Sequence, residues 1–222
     1  MKSLRYSTKE ELIEICYNAL NNNYNEDKVK EIKESIESEF NDNIYDNKFF
    51  KYLPMREIRK GLIKDLDVSQ YAKLEFEECQ MEQIRLGLEK GVDVSLYADK
   101  KYDDLQMEQI RLGLESNLDI SKYTDVEFDW GQMEEIRFGL ENKIDVSKYT
   151  DKKYDWSQMA QIRLGLEDNL DISVYANKKY SGEQMEQIRY GLESKIDISK
   201  YTNVEYDDIQ MLKIRKELEQ NI

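Results

Sequence analysis

The sequence contains no histidine among its 222 residues. It therefore lacks the commonest general base, the Ser–His and Cys–His catalytic pairs and the usual zinc ligand. A glycine-rich phosphate-binding loop is missing too. We expect a protein that is not an enzyme and that holds no cofactor and no metal.

Cysteine, proline and long apolar runs are scarce as well. The two cysteines, Cys16 and Cys79, lack the spacing of a disulfide framework, which predicts a reducing, cytoplasmic location. No apolar run is long enough to span a membrane, and no signal peptide precedes the first predicted helix. A single proline, 36% charged residues and 40% hydrophobic residues are typical of a soluble, helix-rich fold.

Positively charged residues are fewer than negatively charged ones. Lys and Arg number 33 against 47 Asp and Glu, which gives a net charge of −14. Such a charge disfavours direct binding to nucleic acid or to an anionic membrane and favours a basic partner protein. Acidic surfaces also serve solubility alone, and this alternative stays open.

What the chain has in abundance is an internal repeat of 26 residues. Seven methionines mark its copies: Met55, Met81, Met107, Met133, Met159, Met185 and Met211. A repeat of this length is typical of stacked arrays in which each copy contacts mainly its neighbours. We predict an all-α solenoid of seven units over residues 45–222. A helical hairpin over residues 1–44 is predicted to cap the first unit.

Each unit is predicted to contain one α-helix and one short 3₁₀ or helical turn. In the third copy Asp103 and Gln106 have the spacing of a capping box. Met107, Ile110 and Leu114 then form an apolar stripe at helical spacing. The Asp-x-Ser-x-x-Tyr segment that follows the helix predicts the short turn, with its tyrosine buried and the hydroxyl bonded to the backbone.

Six copies keep a glycine inside the helix, at a cost of about 1 kcal/mol relative to alanine. We predict that another backbone approaches the helix closely at these positions: Gly61, Gly87, Gly113, Gly139, Gly165 and Gly191. The seventh copy has Glu217 there, and Lys213 and Lys216 make its helix polar, as expected of a C-terminal cap. Caps at both ends predict a monomer.

One helical position is arginine in all seven copies. This set, the arginine ladder, comprises Arg59, Arg85, Arg111, Arg137, Arg163, Arg189 and Arg215. The preference for a planar fork of donors favours ion pairs with the glutamate four residues later or with an aspartate of a neighbouring turn. A phosphate-binding track is the alternative, which the net charge disfavours.

Positions that vary between copies are the candidates for partner binding, because stacking does not dictate them. Trp130 and Trp156 open two adjacent helices where other copies carry charge, and tryptophan is enriched in binding hot spots. Phe138 and Tyr190 directly follow a ladder arginine. We predict a central aromatic patch of Trp130, Trp156, Phe138 and Leu164, with Tyr190 as a further partner-binding candidate. Ordinary packing is the alternative.

Acidic positions recur at regular intervals and form a second candidate surface. They are Glu82, Glu108, Glu134 and Glu186 early in the helices and Asp99, Asp125 and Asp151 in the connecting loops. On a stacked array about 60–70 Å long they could imitate a nucleic-acid backbone. A solvated face is the alternative.

The residues Gln-Met-Glu-Gln-Ile-Arg-Leu-Gly-Leu-Glu at 106–115 and Asp-Ile-Ser-Lys-Tyr at 119–123 carry a resemblance. They resemble a tandem repeat of proteins from phages and conjugative elements of Gram-positive gut bacteria, where it often stands beside antirestriction-type domains. The likeness covers residues 45–222 and implies a mobile-element setting, without catalytic residues to carry over. Lys100 stands where the commonest form of that repeat has a proline.

The resemblance and the negative charge together favour an inhibitor of a bacterial defence nuclease, such as a CRISPR effector, in the host cytoplasm. It would act through its acidic and aromatic surface. The alternative is a scaffold that binds a protein or peptide through the aromatic patch. A purely structural spacer is a third hypothesis.

Overall fold

The computed structural model describes residues 56–58, 60–61, 64–73 and 75–221. The hairpin predicted at residues 1–44 and the start of the first copy lie outside these ranges. Within them all regular structure is helical and no strand occurs, which confirms an all-α fold. Residues 56–58 and 60–61 are helical, and six further helices follow: α1 Glu78–Lys90, α2 Asp104–Glu115, α3 Trp130–Glu141, α4 Trp156–Glu167, α5 Gly182–Glu193 and α6 Asp208–Glu219.

A short 3₁₀ turn precedes each of these six helices, as the Asp-x-Ser-x-x-Tyr pattern predicts. The turns are Val68–Gln70, Val94–Leu96, Ile120–Lys122, Val146–Lys148, Ile172–Val174 and Ile198–Lys200. Before the fourth turn, the Asp145 carboxylate accepts the Ser147 N–H at 3.2 Å. The Tyr149 N–H then donates to the Val146 carbonyl at 3.0 Å and closes the turn. The aspartate thus stabilises a turn too short to be stable on helix propensity alone.

The α-helices begin at capping boxes. In α2 the Asp103 carboxylate accepts the Gln106 N–H at 2.8 Å, and the Gln106 side chain accepts the Asp103 N–H at 3.0 Å. Beyond the helix ends stand residues of positive φ: Gly91, Asn117, Lys143, Asn169 and Lys195. Both signals confirm the helix limits expected from the sequence.

The chain forms two compact units, one ending at Glu115 and one beginning at Ser116. In the first unit α1 packs on α2. In the second, α3 packs on α4, α4 on α5 and α5 on α6. The core of the second unit includes side chains with no exposed surface from each of its four copies: Met133, Ile136, Met159, Ile162, Met185, Ile188 and Met211. Consecutive copies therefore bury equivalent apolar side chains against one another.

The capping glutamine also connects consecutive copies within the second unit. The Nε2 of Gln132 donates to the Tyr154 carbonyl at 2.6 Å, and that of Gln158 donates to the Tyr180 carbonyl at 2.6 Å. One side chain thus caps its own helix through its oxygen and binds the following copy through its nitrogen.

The glycines inside the helices make room for a side chain and not, as predicted, for another backbone. A Cβ atom on Gly139 would overlap the hydroxyl of Tyr149, which belongs to the same copy. The same overlap would occur between Gly87 and Tyr97 in the first unit. The prediction of a close backbone is therefore wrong, whereas the predicted burial of the tyrosines is confirmed: Tyr71, Tyr97, Tyr123, Tyr149, Tyr175 and Tyr201 are all fully buried.

Candidate functional site

The two tryptophans stand at the first helical positions of α3 and α4. This position follows the N-cap aspartate, Asp129 or Asp155, whose carboxylate accepts the backbone N–H of the glutamine three residues later. The side chain of the first helical residue is left outside the core. Trp130 is 44% exposed and Trp156 is 56% exposed, as expected for a binding surface. A tryptophan usually buries most of its large apolar area, so two neighbouring exposed indoles are unusual for packing alone.

Gly131 lets Trp156 lie against the start of the preceding helix. A Cβ atom on Gly131 would stand 2.9 Å from Cβ and 3.0 Å from Cγ of Trp156. The other copies carry a side chain at this position, for example Leu105 and Ile209. Gly131 beneath the indole is therefore an exception within the repeat. This exception was the sequence signal that could have indicated the contact between Trp156 and the preceding helix.

Phe138 and Tyr190 lie beside arginines of the ladder and not beside the tryptophans. The Phe138 ring lies 4.5 Å from the Arg137 guanidinium and 5.5 Å from that of Arg163. Along α3, Phe138 is eight residues from Trp130, a rise of about 12 Å. Tyr190 is placed in the same way, 4.5 Å from Arg189 and 5.2 Å from Arg215. Both rings are half-buried and stack on guanidinium planes.

Ladder arginines hold several acceptors at once. In the first unit the Nε of Arg111 donates to the Gln83 side chain of the preceding copy at 3.0 Å. Its Nη1 binds Glu115 at 2.5 Å, and its Nη2 lies 3.7 Å from Glu108. The ion pair with the glutamate four residues later recurs at Arg85, Arg137, Arg163 and Arg189. These guanidiniums are 5–12% exposed and point into their own protein, which favours the ion-pair interpretation over a phosphate track.

The carboxylates early in the helices lie next to the ladder. Glu82, Glu108 and Glu134 stand 3.5, 3.7 and 3.9 Å from Nη2 of the arginine three residues later. Their side chains are 33–37% exposed. Part of their charge is thus compensated within the protein, and the exposed part of each side chain is accessible to a partner.

The loop aspartates stabilise the loops themselves. Asp99, Asp125 and Asp151 each accept the N–H of the residue two positions on, at 3.1, 3.0 and 3.1 Å. Lysines lie against all three: Lys101 at 3.2 Å from Asp99, Lys152 at 2.6 Å from Asp125, and Lys153 in contact with Asp151. The Lys152 side chain holds the pKa of Asp125 below its usual value. These carboxylates stay ionised, and the lysines offset their negative potential.

Glu135 is a further buried charge that the sequence did not single out. It is 7% exposed, and its Oε2 accepts from Arg163 Nε at 2.8 Å. Burial raises the pKa of Glu135 even though Arg163 opposes the shift. The equivalent residues Gln83, Gln161 and Gln187 accept the same arginine bond without charge.

The chain has no significant match among protein-family models, curated proteins or solved structures. In the part of the chain that the structure describes, no three His, Cys, Asp or Glu side chains are grouped to hold a metal ion. No helix of that part is both long enough and apolar enough to cross a membrane.

Proposed function

We propose that this chain is a non-catalytic binding protein that receives a basic partner protein on the surface around Trp130 and Trp156. The observation that carries the proposal is the pair of exposed indoles at the starts of two helices packed on each other. Exposed tryptophan contributes large, rigid contact area, and its desolvation by a partner is favourable.

The charge around the indoles favours a cationic partner. Asp129 and Asp155 directly precede the two tryptophans, and Glu134 follows one helical turn after Trp130. Lysine and arginine side chains stack favourably on indole faces, and nearby carboxylates add to the attraction. The net charge of −14 would steer such a partner toward the protein.

We further propose that the partner is a bacterial defence nuclease, for example a CRISPR effector, and that binding inhibits it. The resemblance to mobile-element repeats and the acidic surface support this assignment. The alternative is a scaffold for another protein or peptide, bound through the same tryptophans. Mimicry of nucleic acid by Glu82, Glu108 and Glu134 is the weaker form of the proposal, because ladder arginines lie beside these carboxylates.

We also propose that all seven copies continue as a single solenoid. Support comes from the same contacts within both units, where a ladder arginine reaches a side chain of the preceding copy. Small-angle scattering of the full chain tests this: we expect the distance distribution of an elongated particle. Two peaks of varying separation would contradict a continuous stack.

Binding to a purified basic nuclease, measured by calorimetry, tests the function. Trp130→Ala with Trp156→Ala should weaken binding at least tenfold, whereas Ile209→Ala should not, although Ile209 is an exposed apolar residue at the start of α6. Triple replacement of Glu82, Glu108 and Glu134 by Gln should reduce the salt sensitivity of binding less than it would for a nucleic-acid mimic. Full affinity of the tryptophan variant would refute the proposal.

A further inference from the structure

The glutamates around the ladder arginines follow a rule in the interior copies. Arg111 has Glu108 three residues before it and Glu115 four residues after it, and its Nε bonds to the neutral Gln83. Arg189 likewise has glutamates at both positions and the neutral Gln161 at Nε. In the sequence each of these arginines thus has two glutamates. Arg111 lies within ion-pair distance of both, whereas Arg189 pairs with Glu193 and lies 4.0 Å from Asp168.

Arg163 also has two carboxylates, but one of them comes from a different position. Ala160 replaces the glutamate three residues before it, and Glu135 replaces the glutamine that meets its Nε. The carboxylate has been moved from the surface of α4 to a buried position on α3. The outermost described copies deviate from the rule: Arg85 has three glutamates, one of which also binds Lys60, and Arg215 pairs with Glu219 beside the apolar Leu212.

This exchange is energetically unfavourable by itself, because a buried carboxylate costs more than the glutamine used elsewhere. Its effect at the surface is to remove a carboxylate one helical turn after Trp156. Trp156 and Ala160 then form an apolar strip on α4. At the same repeat position the neighbouring helices α3 and α5 keep Glu134 and Glu186. The result is an apolar centre between two acidic flanks.

We infer that this strip seats an apolar side chain of the partner over Ala160, beside Trp156, with one cationic side chain on each side for Glu134 and Glu186. The inference rests on the proposed function and specifies the chemistry of the partner at that site. An acidic segment would be repelled by both flanking carboxylates, and a wholly basic segment would leave the strip uncovered.

The distance between neighbouring helices determines how far apart the contacting side chains lie along the partner segment. Packed helices lie about 10 Å apart, and a chain in the polyproline II conformation advances about 3.1 Å per residue with three residues per turn. A segment of this conformation that crosses α3, α4 and α5 therefore presents every third side chain to the surface, one to each helix. We expect a segment with an apolar residue at its centre and Lys or Arg three positions before and after it.

Selection from a random library of twelve-residue peptides on the full chain tests this inference. The control is the double variant Ala160→Glu with Glu135→Gln. It gives Arg163 the same arrangement of glutamates and glutamine that Arg111 has, and it leaves the net charge unchanged. Selected peptides should carry the basic–apolar–basic pattern and bind the double variant at least tenfold more weakly. Trp130 and Trp156 are the two tryptophans of the chain, so their fluorescence reports binding at this site.

The outcomes separate the inference from the proposed function. Peptides that lose affinity for Trp156→Ala but bind the double variant as well as the wild type would refute the inference alone. Enriched peptides without the pattern would refute it too. A library that yields no peptide dependent on Trp130 or Trp156 would refute both proposals. Cooperative thermal unfolding of the double variant at or above the unfolding temperature of the wild type shows that the fold is retained.

Discussion

The hydroxyl of Tyr149 fills the space beside Gly139 and donates a 3.0 Å hydrogen bond to the Glu135 carbonyl. In an α-helix this carbonyl also accepts the N–H of Gly139, four residues later. The missing Cβ of the glycine is what allows the tyrosine to reach it. The short turn and the helix of one copy are joined by this contact.

Gly139→Ala should destabilise the protein by about 2 kcal/mol, because overlap with the tyrosine outweighs the helix propensity gained. Urea unfolding measures the change. Adding Tyr149→Phe removes the overlapping hydroxyl and should recover part of the loss. Glu217→Ala, at the same repeat position of α6, is the control and should change stability little. A Gly139→Ala variant that is more stable than the wild type would contradict the assigned role of the glycine.

Gln132→Glu should cost about 2 kcal/mol, although glutamate is a normal capping-box residue. The carboxylate can still accept the Asp129 N–H, but it cannot donate to the Tyr154 carbonyl, which Gln132 contacts at 2.6 Å. Thermal unfolding at neutral pH measures the effect.

Gln210 supplies the matched control for this substitution. It forms the same capping box with Asp207, and among the described residues its side-chain nitrogen donates to no acceptor. Gln210→Glu should therefore be tolerated. Equal losses in the two variants would show that the contact between copies contributes little.

Arg111→Lys should destabilise the protein by about 1–2 kcal/mol, because an ammonium group cannot reach Gln83, Glu108 and Glu115 with the geometry of a guanidinium. Arg56→Lys is the control, since the Arg56 side chain is 54% exposed. Chemical denaturation of both variants tests the ladder. A lysine variant as stable as the wild type would mean that charge alone, without the fork of donors, suffices.

Glu135→Gln should stabilise the protein at pH 7 by about 1 kcal/mol. Burial raises the pKa of Glu135 above its value in the unfolded chain, so the protonated carboxyl is favoured in the fold. The contribution of Glu135 to stability is thus present at low pH and lost as the pH rises through the folded-state pKa. The advantage of the variant should shrink as the pH is lowered, which unfolding between pH 4 and about 8 would show.

Glu57→Gln should have the opposite effect. Burial tends to raise the pKa of Glu57, but Lys60 at 2.6 Å and Arg85 at 2.7 Å outweigh it and lower the pKa. The stabilisation by this carboxylate is present at neutral pH and lost as the pH falls through the folded-state pKa. Destabilisation by both glutamine variants at pH 7 would contradict the difference between the two sites.

Several features of the site were predictable because they depend on residues close in sequence. The capping boxes, the aspartate-stabilised turns and the ion pairs between a ladder arginine and the glutamate four residues later each span only a few positions. The exposure of Trp130 and Trp156 followed from their place beside an N-cap and from the charged residues of other copies there. Backbone geometry alone determines such contacts.

The partners of Phe138, Gln132 and Glu135 could not be read in the same way. Phe138 stacks between arginines of two copies, Gln132 bonds to a carbonyl 22 residues later, and Glu135 to an arginine 28 residues later. The spacing of the repeat shows that such contacts recur but does not show which atoms meet. These contacts depend on how close the side chains of two different helices come in the folded protein.

The amino-acid sequence by itself determined the period, the alternation of helix and short turn, and the position of the arginine ladder, because local hydrogen bonds and helical periodicity set them. Only the tertiary structure decided that a tyrosine hydroxyl occupies the glycine space and that Trp156 lies over Gly131. It also decided that Glu135 carries the charge missing at Ala160. These features arise where side chains of different segments compete for the same volume and the same donors, and a linear pattern does not contain that information.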